Sequence, residues 1–147
     1  MIYHCSPYHR DSALHPIVNQ LMRGAALAPD DDAATKIAKL EALLSQSGER
    51  TGDDIALFAA LLAITAGEHY RLPNLTPQQL KERTLGALLG QLKGLCTQQP
   101  VLIVFEDLHW VDPTTLELLT RLVEQASGQA LFVLVTARPE FRPTVAE

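Results

Sequence analysis

The chain has 147 residues, of which 47% are apolar and 20% charged, with a net charge of −5. That balance excludes a disordered chain and suits a single globular domain spanning residues 1–147. The acidic sign and scattered Lys and Arg exclude a broad nucleic-acid-binding surface. No run reaches the roughly 18 uncharged apolar residues that a membrane span requires, and no basic-then-apolar start marks a secretion leader. Cys5 and Cys96 form no Cys-x-x-Cys pair and read as free thiols of a reducing cytoplasm. The histidines at 4, 9, 15, 69 and 109 lack metal-ligand spacing.

In chain order, Ile2 to Cys5 reads as the tail of a strand, ended by Pro7. A helix carrying Leu14, Ile17, Val18 and Leu21 follows, with Pro16 in its first turn and a stop near Gly24. Asp30, Asp31 and Asp32 precede a second helix with Ile37, Leu40, Leu43 and Leu44 on one face. Acidic residues there complement the helix dipole, and Gly48 supplies a stop. Gly52-Asp53-Asp54 opens a third helix, apolar nearly all round through Ile55, Phe58, Leu61, Leu62 and Ile64, with its end expected at Gly67. After a loop from His69 to Leu75, Thr76-Pro77-Gln78-Gln79 is a capping-box start. The helix it opens carries Leu80, Leu85, Leu88, Leu92 and Leu95. Gly86, Gly90 and Gly94 recur along it every four residues and predict close packing of this helix on a sheet.

Val101 to Phe105 is an unbroken apolar run, the pattern of a parallel strand buried on both faces. Asp112-Pro113 then starts a helix with Leu116, Leu119, Leu122 and Val123 facing inward, stopped by Gly128. Ala130 to Val135 is a second apolar strand, and beyond Phe141 a frayed tail is expected. Strand, helix and strand with short breaks predict a right-handed parallel βαβ unit.

Two carboxylates, Glu106 and Asp107, stand at the C-terminal end of the first of these strands, where open α/β sheets bind ligands. A nucleoside triphosphate needs Mg²⁺, which one or two carboxylates hold together with water and phosphate oxygens. Adjacent strand residues point to opposite sides, so a division of labour is expected: Glu106 toward the metal, Asp107 toward the attacking water. Asp112 reads as a helix cap and Trp110 as a packing anchor. Arg138 ends the other strand. An arginine before a turn-forming proline can be a plain surface residue, but beside the acidic strand end its guanidinium fork suits a γ-phosphate.

The string Glu106-Asp107-Leu108-His109-Trp110-Val111-Asp112-Pro113 resembles the Walker B segment of the AAA-related STAND signalling P-loop ATPases. The chain is more closely similar to the ATPase module that stands between a nucleotide-cyclase domain and tetratricopeptide repeats in large bacterial regulators. Cys5 to Pro16, Asn74 to Thr84 and Thr136 to Phe141 share that resemblance. It implies a partial P-loop NTPase fold of the AAA-like type: an α/β, three-layer arrangement with a parallel sheet of about three strands and helices packed on it. The family's sheet order is 5-1-4-3-2, and these strands correspond to the second, third and fourth, which are neighbours in it.

The resemblance further implies ATP and Mg²⁺ as ligands, with Glu106 at the metal position, Asp107 at the catalytic acidic position and Arg138 at the first sensor position. The family often has Asp where Glu106 stands. No Gly-x-x-x-x-Gly-Lys-Ser/Thr loop occurs in these residues, so the chain reads as the Walker B and sensor half of a regulatory nucleotide switch. The expected partners are the remainder of the ATPase domain and the parent's cyclase or tetratricopeptide domains. An exposed apolar edge from Leu131 to Val135 predicts self-association. The alternative is a non-catalytic interaction module with a vestigial nucleotide site.

Overall fold

The structure is a computed structural model that describes residues 1–48 and 51–142. Apart from Arg142, the tail expected beyond Phe141 lies outside these residues. The chain divides into two compact units, residues 21–95 and residues 1–20 with everything from 96 onward.

The second of these holds a three-stranded parallel sheet with spatial order β1 (Ile2–His4), β2 (Val101–Glu106), β3 (Leu131–Val135). This is the α/β, parallel, three-stranded architecture of a partial P-loop NTPase fold. β2 and β3 are joined through α5 (Pro113–Gln125), and α1 (His15–Gly24) begins in the same unit. The register sets Tyr3 beside Phe105 and Ile2 beside Val104. Because side chains alternate along a strand, Tyr3, Cys5, Val101, Ile103 and Phe105 are buried while Ile2 and Leu102 are exposed. The Tyr3 and Phe105 rings stack at 4.8 Å, and burial pushes the Tyr3 hydroxyl up to about 12.

One expectation is overturned here. β2 is buried on one face, not both: Leu102 remains 51% exposed and its neighbour in register, Phe132, 64%. An unbroken apolar run carries no period, so it cannot distinguish a strand covered twice from one covered once.

α5 buries Thr115, Leu118, Leu119 and Leu122. Its inward stripe therefore sits slightly off the expected one, with Leu116 and Val123 half-buried at the margin. Asp112 caps the helix, its carboxylate accepting from the Thr114 and Thr115 amides at 3.0 and 2.9 Å, and Pro113 follows in the first turn.

The described part of residues 21–95 is built from helices: α2 (Ala33–Ser45), α3 (Gly52–Leu61) and the greater part of α4 (Pro77–Gln98). Their core holds Leu40, Leu44, Phe58 and Leu85, each almost fully enclosed. The acidic trio divides between two duties. Asp32 caps α2 by accepting from the Thr35 amide at 2.7 Å, and Asp31 pairs with Lys39 at 2.6 Å. Both carboxyls are held below their ordinary value, Asp31 chiefly by Lys39 and Asp32 chiefly by Thr35. Thr51 and Asp54 form a reciprocal capping box at the start of α3, and Thr76 and Gln79 form one at the start of α4.

α3 stops well before the expected Gly67. Ala63 takes a left-handed φ of 52° directly after the C-cap Leu62, a conformation that composition gives no reason to assign to alanine. Two glycines of the α4 ladder differ in their surroundings. A Cβ on Gly94 would overlap the backbone carbonyl of Ser47, in the turn after α2, whereas one on Gly86 would meet nothing.

Candidate functional site

Glu106 is the last residue of β2, and its register partner is His4 at the end of β1. In a parallel sheet such partners project from the same face. Accordingly His4 Nδ1 lies 2.7 Å from a Glu106 carboxylate oxygen, both groups substantially exposed. Glu106 thus has a histidine neighbour that sequence reasoning missed. The three residues of β1 carry too little pattern to have set 4 against 106 in advance.

Asp107 does not continue the strand. It turns left-handed with φ 57° and starts a short 3₁₀ turn over Leu108–Trp110. Asparagine and aspartate tolerate this region better than bulkier residues. The turn is pinned to the end of β3: the Asp107 amide donates to the Thr136 hydroxyl at 3.2 Å and the Leu108 amide to the Thr136 carbonyl at 2.9 Å. The backbone turns between the two carboxylates, so strand alternation does not govern their relation. Asp107 is exposed at the rim.

Arg138 lies three residues past β3, also exposed. Its guanidinium carbon sits 5.3 Å from the centroid of Trp110, and that of Arg10 sits 5.4 Å from the same ring. Glu106 ends β2, Asp107 follows it directly, and Arg138 lies just past the end of β3. Sequence reasoning assigned no role to Arg10, and it saw Trp110 only as packing.

Beneath this rim the polar interior is organised by Asp112. One carboxylate oxygen accepts from the Leu14, Thr114 and Thr115 amides, and the other accepts from the Thr115 hydroxyl at 2.5 Å. The Cys5 thiol is pushed up to about 11 by burial first and by Asp112 and Asp107 second. It is no nucleophile at neutral pH. His109 Nδ1 is buried with no hydrogen-bond partner among the described residues.

Whether these groups fit a magnesium nucleotide can be judged from the donors. Among the described residues no three His, Cys, Asp or Glu side chains are grouped to hold a metal ion. An all-protein cage is not what magnesium needs. It takes one or two carboxylates and completes its shell with water and phosphate oxygens. Glu106 and Asp107 fit that role, and two exposed guanidiniums on the same rim fit phosphate oxygens.

A family model for the AAA ATPase domain matches residues 3–135. The chain belongs to the AAA ATPase domain family. That family consists of nucleotide-binding P-loop ATPases, which in general bind ATP with Mg²⁺. An uncharacterized protein of Rhizobium meliloti (strain 1021) is 27% identical over 141 residues, covering 96% of this chain. The AAA ATPase domain chain spans only 13% of that relative's length. No solved structure matches it. Among the described residues no helix is long and apolar enough to cross a membrane.

Proposed function

We propose that this AAA ATPase domain chain carries the Walker B and sensor half of an ATP site in a cytoplasmic signalling ATPase, where nucleotide occupancy acts as a regulatory switch. Glu106 holds Mg²⁺ there, Asp107 orients the attacking water, and Arg138 reads the γ-phosphate. Bound Mg·ATP would supply the electrophilic phosphorus. This chain's residues supply the metal carboxylate, the water-orienting carboxylate and the cation. The observation that carries the reading is the meeting of the β2 and β3 ends. Thr136 ties the Asp107 turn to the strand that bears Arg138, so carboxylates and guanidinium share one rim.

Titration with fluorescent ATP tests it. Glu106→Gln is expected to weaken Mg²⁺-dependent binding about tenfold, and Asp107→Asn to leave binding intact while abolishing any hydrolysis. Equal Mg²⁺-dependent affinity for wild type and Glu106→Gln would sink the proposal.

A second reading, an interaction module, draws on the bare sheet face of Ile2, Leu102, Phe132 and Leu134. In that reading the chain docks on the rest of the ATPase domain or on neighbouring cyclase or tetratricopeptide domains, and on itself when alone. Sedimentation at rising concentration tests self-association. Wild type is expected to associate and Phe132→Lys to stay monomeric; a wild-type monomer throughout would end this reading.

A further inference from the structure

Arg10, Trp110 and Arg138 come from the three segments that follow β1, β2 and β3 in turn. All three therefore stand at the C-terminal edge of the parallel sheet, beside Glu106 and Asp107. The two guanidiniums converge on one indole at 5.4 and 5.3 Å. Both arginines are exposed, and among the described residues neither has a carboxylate within ion-pair distance. Each such contact is weak at an exposed site, and the two like charges, gathered on one indole, repel one another. An anion with several oxygens removes that repulsion and offers each planar fork a matched pair of acceptors, a stronger bond than the ring provides.

We infer that Arg10 is a second phosphate-binding residue of this rim, acting with Arg138 on the polyphosphate of a nucleoside triphosphate, and that Trp110 is the resting place both guanidiniums leave when the anion arrives. The inference rests on the nucleotide reading of Glu106, Asp107 and Arg138. It adds a residue from the β1 side of the sheet, so that cations from both outer strands close on the ligand while the carboxylates come from the central one.

Trp110 is the only tryptophan of the chain, which makes its emission a direct readout. The full chain is titrated with inorganic tripolyphosphate without magnesium, and separately with Mg·ATP, against sodium sulfate at matched ionic strength. Tripolyphosphate is expected to give a saturable change in Trp110 emission that sulfate does not. Arg10→Ala should weaken tripolyphosphate binding about tenfold, the loss of one charge-assisted contact. Arg10→Lys should recover part of it, and Arg71→Ala, an exposed arginine elsewhere, should change nothing. Far-UV circular dichroism establishes that each variant is folded. Wild-type affinity in Arg10→Ala overturns the inference, as does a wild-type chain whose emission answers no polyphosphate. The underlying reading fails separately. If Arg10→Ala loses tripolyphosphate but magnesium and Glu106→Gln have no effect on ATP, the rim is a polyphosphate site and not a metal-nucleotide site. If Glu106→Gln weakens Mg·ATP while Arg10→Ala changes neither titration, the nucleotide site stands without Arg10.

Discussion

Asp112 accepts a hydrogen bond from the backbone amide of Leu14, 3.2 Å away and 98 residues earlier in the chain. Leu14 holds a left-handed φ of 59°, a conformation that costs a leucine roughly 1–2 kcal/mol, and its carbonyl accepts the first bond of α1 from Val18. The carboxylate that caps α5 therefore also fixes the backbone from which α1 departs.

Removing that carboxylate should be expensive. Asp112→Ala leaves three amides and the Thr115 hydroxyl without their acceptor in a site only 2% exposed, and about 3 kcal/mol of stability should be lost. Asp112→Ser keeps a capping oxygen for α5 and should recover only part of the loss, because its shorter side chain cannot also reach Leu14. Urea unfolding curves for the three proteins check the order; equal stability of Ala and Ser variants would show that the cap is unimportant.

Two glycines of α4 should respond oppositely to alanine. At Gly94 the added Cβ overlaps the Ser47 carbonyl, and the turn must shift at a cost of about 1–3 kcal/mol. At Gly86 the space is open, so alanine's helix preference should stabilise by about 0.5–1 kcal/mol. Thermal midpoints moving in the same direction would contradict this.

Acidification should loosen the start of α1. His15 is held below its ordinary value of 6.5 by burial first and by His9, stacked at 3.5 Å, second, with Asp112 opposing them. Asn19 is a further polar neighbour, 2.9 Å from Nε2. A depressed histidine means that the unfolded chain binds more protons. Its contribution is complete above 6.5 and lost as pH falls through the folded value. The fall in thermal midpoint between pH 7.5 and pH 5 should shrink in His15→Gln; an unchanged fall would assign the effect elsewhere.

The thiols should be silent. With Cys5 pushed up to about 11 and Cys96 also raised by burial, native chains at pH 8 should react slowly with a disulfide reagent, and both thiols rapidly in denaturant. Fast labelling of Cys5 in the native protein would refute its burial.

The fold was legible where a local rule settles the structure. Thr76 to Gln79, Asp112-Pro113 and Asp32 each announce a cap by chemistry confined to a few residues, and the strands from 101 and 131 are unbroken apolar runs between breakers. Illegible were matters decided by distant neighbours. The exposure of Leu102 depends on what covers a face, the left-handed turns at Leu14 and Ala63 on packing, and the partner of Gly94 on where Ser47 arrives. The site follows the same division. Glu106, Asp107 and Arg138 stand beside strand ends and could be read in sequence. His4 and Arg10 join them only through the parallel register of β1, whose three residues carry too little pattern to fix it.

That register also has a consequence in time. β1 pairs with β2, which follows only after the whole stretch of residues 21–95, with Ile2 beside Val104. At synthesis rates of roughly 5–20 residues per second the first strand waits roughly 5–20 s on the ribosome. During that wait Tyr3 and Cys5 have no covered face to enter. The intervening stretch, 21–95, is continuous in sequence, local in its contacts and compact in itself, so it is free to fold first. A nascent chain stalled before residue 106 should therefore resist protease in its middle while its first strand is still being cut.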